Sequence, residues 1–372
     1  MSAPITPILQ FGTSRFLQAH ADLFVSEALA TGQALGPITV VQSSGNPARS
    51  TRLSALANPQ GYPVRIRGLQ NGQPVDETRT ITSIRRTLST ATDWPEIIRI
   101  ATQQARIILS NTADAGYAPQ PADENPRFEQ SMSYPAKLMH LLRARFAAGA
   151  KPLQIMPAEL IVNNGTTLKA RVLALARSQP EPFRHHLTHD IIWVNSLVDR
   201  IVSDPIEPAG AVTEPYALWA IEDQPGLILP CTHTAIQVVQ NLETTEALKL
   251  FLLNLAHTSL AEDWLLKGAP QGDLVRHAMQ DGRRKALLSL YETELLPPFI
   301  AAGLEQQARA YVTTTLERFT NPFLDHKLAD IADNHIQKIT RRVGGLLAFA
   351  QKHGDQTPKP RLAAMAARHA AL

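Results

Sequence analysis

Between Pro7 and Val194, short apolar, β-branched runs alternate with helix-patterned stretches; beyond about Glu243 the strand signal all but stops. This alternation is the strongest constraint on the fold. Strands that return to one sheet through helical crossovers pair in parallel, and such sheets bind ligands at the carboxyl ends of their strands. The strand runs are Pro7–Phe11, Ile38–Gln42, Arg106–Ser110, Leu153–Met156 and Ile191–Val194. Helices are expected over Ala21–Ala30, Trp94–Gln104, Tyr134–Ala148 and Thr166–Ala176. Gly61–Arg86 reads as strand and turn, with Asn71-Gly72 as a hairpin turn. Later helices are expected over Glu243–Leu266, Gly272–Glu292, Leu304–Arg318 and His326–Gln351. The pattern gives an α/β domain over residues 1–240 and a mostly α-helical domain over 241–372.

Composition excludes several classes. Of 372 residues, 44% are hydrophobic, enough for a sizeable core, and 19% are charged, too few for a disordered or coiled-coil chain. The single Cys231 forms no internal disulfide and builds no cysteine-based zinc site. A net charge of +3 spread over this length, without a long Lys/Arg block, argues against a nucleic-acid partner. The start Met1-Ser2-Ala3-Pro4 has no signal-peptide pattern, and the longest apolar run, near Leu248–Leu255, is too short to span a bilayer. No membrane partner and a cytoplasmic location are therefore expected.

The first strand–turn–helix is where a dinucleotide pyrophosphate sits in a Rossmann-like domain. Gly12 is present there, while Ser14 stands where a second glycine is usual. Cofactor binding at Gly12 and Ser14 and an ordinary strand-to-helix turn both fit. At the end of the second strand Gln42-Ser43-Ser44 replaces the acid that pairs with NAD ribose, and Arg49 and Arg52 lie nearby.

The most informative segment is Leu248–His257, apolar on nearly every side but interrupted by Lys249, Asn254 and His257. In an α-helix these three lie at about 0°, 140° and 80°, within one sector. Burying three such groups without partners costs several kcal/mol, which favours a site over a plain core. A lysine in such surroundings serves as a general base. His185-His186-Leu187-Thr188-His189-Asp190 lacks a zinc-protease glutamate and falls in an expected loop, so no metal site is read there. Asn195 follows the Ile191–Val194 strand, at the end where ligands bind.

Together these residues resemble the polyol-specific long-chain dehydrogenases, the family of mannitol dehydrogenase, fructuronate reductase and tagaturonate reductase. Lys249, Asn254 and His257 are similar to its catalytic signature, and Val198-Asp199-Arg200-Ile201 to its second signature. Other similar pieces include Leu9-Gln10-Phe11-Gly12, Ser110-Asn111-Thr112, Glu159–Gly165 and Arg318–Phe323, and matches run in the family's order from residue 8 to about 343. Within the family the residues most resemble the tagaturonate (altronate) reductases. The resemblance implies a metal-free oxidoreductase that interconverts a small sugar acid or polyol and its keto form by hydride transfer. NAD is the implied cofactor, with NADP left open.

The resemblance also implies roles. Lys249 would be the general base, Asn195 and Asn254 would hold the developing oxyanion, and His257 would orient the substrate. Asn164, His326, Asn334 and Lys338 would line the substrate side, while Gly12, Phe16, Asn111 and Thr112 would touch the cofactor. Lys338, His326 and Arg341 are the expected counter-charges to a carboxylated substrate. Asp114 stands where relatives carry glutamate. Asp330 stands where the mannitol branch carries arginine, which argues against simply transferring the polyol specificity; a neutral-polyol or mannonate dehydrogenase is the alternative within the family, and a non-catalytic binding protein on a dehydrogenase scaffold the alternative outside it.

Overall fold

The structure, a computed structural model, describes residues 4–112 and 114–369, with Asp114 and Ala115 described by backbone alone. The chain divides into two compact units: Met1–Ile66 with Asp76–Leu242, and Arg67–Val75 with Glu243–Leu372.

In chain order the strands are β1 (Ile8–Phe11), β2 (Ile38–Gln42), β3 (Tyr62–Gln70), β4 (Gln73–Ile81), β5 (Ile84–Ser89), β6 (Ile107–Ser110), β7 (Leu153–Pro157) and β8 (Ile191–Trp193). Six of them form one all-parallel sheet in the order β5-β2-β1-β6-β7-β8. β1, β2, β6 and β7 are buried at every position, as continuous apolar runs in a two-sided sheet require. Strand order runs outward in both directions from β1 and β6, so their carboxyl ends make a topological switch point. Phe11 is level with both Val41 and Ser110 there.

Helices α1 (Arg15–Gln18), α2 (Ala21–Ala30), α3 (Ser50–Leu56), α4 (Trp94–Gln103), α5 (Tyr134–Ala147), α6 (Asn164–Leu175) and α7 (Glu181–His189) complete the crossovers. One core joins Leu9, Phe11 and Ile108 of the sheet to Ile97, Leu138, Leu142, Leu168 and Leu187 of the helices. The α7 segment corrects an expected loop. Pro182 lies in its first turn, where a missing N–H leaves no hydrogen bond unmade, and Phe183 and Leu187 bury one face. Strands β9 (Ser196–Asp199), β10 (Val202–Pro205), β11 (Ala211–Thr213), β12 (Leu218–Glu222) and β13 (Ile236–Val239) add two smaller sheets, β10-β11-β3-β4 and β13-β12-β9.

The second unit is helical: α8 (Glu243–Ala247), α9 (Leu255–Leu266), α10 (Val275–Ala278), α11 (Gly282–Leu290), α12 (Pro297–Ala301), α13 (Glu305–Phe319), α14 (Leu328–Ala332), α15 (His335–Lys352) and α16 (Pro360–His369). Its core gathers Phe251, Leu252, Leu255, Leu290, Phe299, Ile339 and Leu346. Two expected helices are broken. Gly272–Glu292 divides at Asp281, whose carboxylate caps Arg283 N–H at 2.8 Å, and His326–Gln351 divides at Asn334, which takes φ 52°. Two stretches, Leu248–Asn254 and Tyr291–Leu295, are π-helical.

The tip of the β3–β4 hairpin, with Asn71 and Gly72 both at positive φ, belongs to this second unit. Asn321 Nδ2 donates to the Arg67 carbonyl at 3.3 Å, Gly72 N–H donates to Glu317 at 2.5 Å, and the Arg67 guanidinium lies 4.2 Å over the Phe323 ring. Among the described residues no helix is long and apolar enough to cross a membrane.

Candidate active site

In the first unit a cleft of about 500 Å³ opens at the switch point. Of the residues proposed for cofactor binding, Gly12, Ser14, Gln42, Asn111 and Thr112 line it, while Phe16 does not. Phe16 instead stacks on His20 within the α1–α2 segment, ring centroids 4.7 Å apart. Gly12 takes φ +122°, and a Cβ there would stand 2.4 Å from the Asn111 carbonyl oxygen. Only glycine allows the β1 and β6 loops to approach this closely. Ser14 caps the short helix α1: its hydroxyl accepts from Leu17 N–H and donates to Asn111 Oδ1, both at 3.2 Å. Serine in place of the second glycine therefore has a structural use.

A buried carboxylate that sequence reasoning did not single out organises the β6 side. Glu159, 2% exposed, accepts from Ser110 Oγ and Tyr117 OH at 3.1 Å each and from Thr112 N–H and Oγ1 at 3.0 and 3.2 Å. Burial raises its pKa, and these hydrogen bonds oppose the rise. Lys137 of α5 donates to the Ser43 carbonyl at 2.7 Å, with burial pushing its pKa down to about 8. Its signal was a lysine inside the apolar run Tyr134–Leu142. The Asp114 side chain lies outside the described residues.

Close backbone at Gly12, several hydroxyls and a lining without a carboxylate among its described residues suit the pyrophosphate and riboses of a dinucleotide.

Asn164 and Asn195 meet at the amino end of α6. Asn164 is fully buried; its Nδ2 donates to the carbonyls of Pro157, Glu159 and Ser196, and its Oδ1 accepts from Gly165 and Ser196 N–H. These bonds tie Asn164 to the loop that carries Asn195. Gly165 lets α6 seat against this loop, since a Cβ would stand 2.4 Å from the Val194 carbonyl oxygen. Asn195 Oδ1 accepts from Thr166 N–H at 2.9 Å and its Nδ2 donates to Glu222 at 2.7 Å.

In the second unit, Lys249 and Asn254 share the π-helical stretch, where Leu255 N–H bonds the Leu250 carbonyl five residues back. In an α-helix the pair would be about 140° apart; an i→i+5 ladder instead brings residues five apart onto one side. The widened turn leaves carbonyls that side chains satisfy. Tyr291 OH donates to Leu252 at 2.6 Å, and Arg342 Nη1 donates to Asn254 at 2.8 Å and to Thr258 Oγ1 at 2.6 Å. Both Lys249 and Asn254 are half-buried.

His257, 7% exposed, stacks on Phe319 at 4.3 Å and meets the edge of His326 at 4.8 Å, while its buried Nε2 has no hydrogen-bond partner. Burial holds its pKa well below 6.5, reinforced by His326, Arg318, Arg342 and Lys338, so the ring is neutral. His326 is lowered for the same first reason, with Asp330 opposing. Burial, then Arg342, lowers Lys338, whose Nζ donates to the Ile331 carbonyl at 2.9 Å. Arg342 is brought to about 10 by burial and by Arg341. Arg341 is exposed, while Arg342 and the buried Arg318 are among the charges that act on His257. Asn334 is exposed and donates to Asp333 at 3.1 Å.

Among the described residues one group, Glu262, His335 and His369, has the composition of a metal site. Its carboxylate already accepts from both Nε2 atoms, at 2.8 and 2.9 Å, and from Arg368 Nε at 2.7 Å.

Residues 6–228 match the mannitol dehydrogenase Rossmann domain, and residues 241–370 the mannitol dehydrogenase C-terminal domain. The chain is 32% identical to an altronate oxidoreductase of Bacillus subtilis, over 94% of this chain and 76% of the relative. It is 30% identical to an altronate oxidoreductase of Yersinia pestis, over 95% and 77%. Among solved structures, a substrate-free D-sorbitol dehydrogenase superposes with a TM-score of 0.76 at 18% identity, covering 94% of this chain and 80% of that one. The Pseudomonas fluorescens mannitol 2-dehydrogenase ternary complex with NAD and D-mannitol gives 0.68 at 18% identity, covering 94% and 79%. The last two likenesses establish the fold: a parallel-sheet Rossmann-like domain followed by a helical one. The chain belongs to the mannitol dehydrogenase family of oxidoreductases.

Proposed function

We propose that this protein interconverts a sugar acid of the altronate/tagaturonate kind and its keto form, using a nicotinamide dinucleotide and Lys249 as general base. The observation that carries the reading is the setting of His257: buried against Phe319 and His326, its Nε2 lacks a partner, and beyond burial and His326 the charges of Arg318, Arg342 and Lys338 act on it. A carboxylated substrate offsets those charges and a hydroxyl answers that nitrogen. The altronate oxidoreductases among the relatives support the same substrate class.

In the oxidative direction the Lys249 amine takes the proton of the reacting hydroxyl. Bound nicotinamide supplies the hydride acceptor, and in its reduced form the donor. In reduction the Lys249 ammonium returns a proton to the oxyanion. Asn195 and Asn254 are assigned to that oxygen, stabilising charge as it develops. His257, neutral, orients the substrate through Nε2, and His326 and Lys338 face its carboxylate, with Arg342 adding charge. Asn334 is assigned to the substrate's polar end, and Gly12, Ser14, Gln42, Asn111 and Thr112 to the dinucleotide.

Altronate, mannonate and mannitol, each assayed with NAD and NADP, test the reading. Turnover of the acids above mannitol is expected; turnover of mannitol alone would overturn the sugar-acid assignment.

A further inference from the structure

The cleft of the first unit is bordered by three cations, Arg49, Arg52 and Lys137, and by no carboxylate among its described residues. Which dinucleotide such a cleft accepts depends on the end of β2. An acid there bonds the adenosine ribose hydroxyls and repels a 2′-phosphate, whereas an arginine accommodates it. Here β2 ends on Gln42, whose amide is committed in both directions: Nε2 donates to the Asn46 carbonyl at 2.7 Å and Oε1 accepts from Ser89 Oγ at 3.2 Å.

The next residues are fixed in place. The Ser43 carbonyl accepts from Lys137 Nζ at 2.7 Å and from Gln130 Nε2 and Thr90 Oγ1 at 3.0 Å each. Ser44 is exposed beside them. Asn46 then caps the turn Pro47–Arg49 through Ala48 N–H at 2.9 Å, and the chain enters α3, so Arg49 and Arg52 follow one another at a three-residue spacing. Arg49 is exposed and makes no ion pair among the described residues. Arg52 stands 3.9 Å from Glu207, whose carboxylate is held more closely by Arg15 at 2.5 Å. Two guanidinium groups with little competing charge thus stand beyond the end of β2, where a 2′-phosphate would add up to two negative charges to those of the pyrophosphate.

We propose that Ser44, Arg49 and Arg52 form a phosphomonoester subsite that accepts the 2′-phosphate of NADP(H), making NADP(H) the preferred dinucleotide. The inference rests on the reading of this cleft as the nicotinamide-cofactor site.

Binding of NADPH and NADH to the full chain, measured by nicotinamide fluorescence without substrate, tests it. NADPH is expected to bind about tenfold or more tightly than NADH, the scale of one or two charge-assisted contacts, and this advantage is expected to shrink with added salt. 2′,5′-ADP is expected to displace NADPH better than 5′-AMP does. In Arg49→Ala and Arg52→Ala the NADPH-to-NADH affinity ratio falls toward one, and in Ser44→Asp it inverts. Thermal midpoints within a few degrees of the parent verify that the variants fold. Equal or tighter binding of NADH by the parent, or a ratio unmoved in all three variants, overturns the proposal while leaving the cofactor site standing. If neither dinucleotide binds, the cofactor-site reading falls as well.

Discussion

The hydroxyl of Tyr291 donates a hydrogen bond to the main-chain carbonyl of Leu252 at 2.6 Å, and each residue lies in a π-helical stretch. One irregular turn is thereby satisfied by a side chain from another, and the first of them carries Lys249 and Asn254. Burial raises the Tyr291 pKa, so the phenol stays protonated and donates.

Tyr291→Phe keeps the ring and removes the donor, leaving a buried carbonyl unmet. A loss of about 1–3 kcal/mol in stability is expected. If the hydrogen bond also keeps Lys249 and Asn254 on one side, kcat falls beyond what the unfolded fraction explains. Urea unfolding and kcat at saturating substrate, measured on the same preparation, separate the two effects. An unchanged urea midpoint would show that the carbonyl finds another donor.

Lys249→Ala removes the proposed proton acceptor. The expected loss in kcat is about 10²–10⁴-fold, the range for general acid–base groups, with dinucleotide binding retained. Full activity on the best substrate would refute the assignment.

Gly12→Ala places a methyl group 2.4 Å from the Asn111 carbonyl oxygen at φ +122°. Strain of about 1–3 kcal/mol and separation of the β1 and β6 loops are expected. Calorimetry and cofactor titration check both: the melting temperature falls and dinucleotide affinity falls with it.

Two buried histidines make the fold sensitive to acid, against the opposite contribution of Asp22, whose pKa burial raises to about 7. His257 is held well below 6.5 and His20 at about 3, chiefly by burial, whereas in the unfolded chain both take up a proton near pH 6.5. The unfolded state therefore binds more protons below that value. The stabilisation is complete above about pH 6.5 and drains away as pH falls toward the folded values. Melting temperatures of the parent and of His257→Phe from pH 8 to pH 5 should diverge, the parent losing more stability toward acid than the variant.

Periodicity made most of the fold legible. Ala21–Ala30 and Ile38–Gln42 have the ends expected of them, because continuous apolar runs mark a two-sided parallel sheet and amphipathic spacing marks its crossovers. The π-helical stretch escaped, since a 3.6-residue template has no place for a ladder that advances by five. Lys249, Asn254 and His257 stood out anyway, because polar residues in an apolar helix are conspicuous in any helical geometry. Arg341 is exposed and its neighbour Arg342 half-buried because adjacent helical residues differ by about 100°, a phase that a broken helix hides in the sequence. Asn164 carries the same amide whether it meets a substrate or three main-chain carbonyls; only the fold distinguishes those uses.

The hairpin tip Arg67–Val75 has a consequence for how the chain is made. Its partners Glu317 and Asn321 lie 245 and 254 residues further along, so on a ribosome the tip is synthesised long before anything exists for it to bind. The helical unit cannot be completed from its own contiguous stretch of sequence. A gene cut at codon 242 therefore does not yield two independent pieces: the carboxyl fragment would leave Glu317, Asn321 and Phe323 without the strands they hold. Separately expressed halves should regain that missing interface only when mixed.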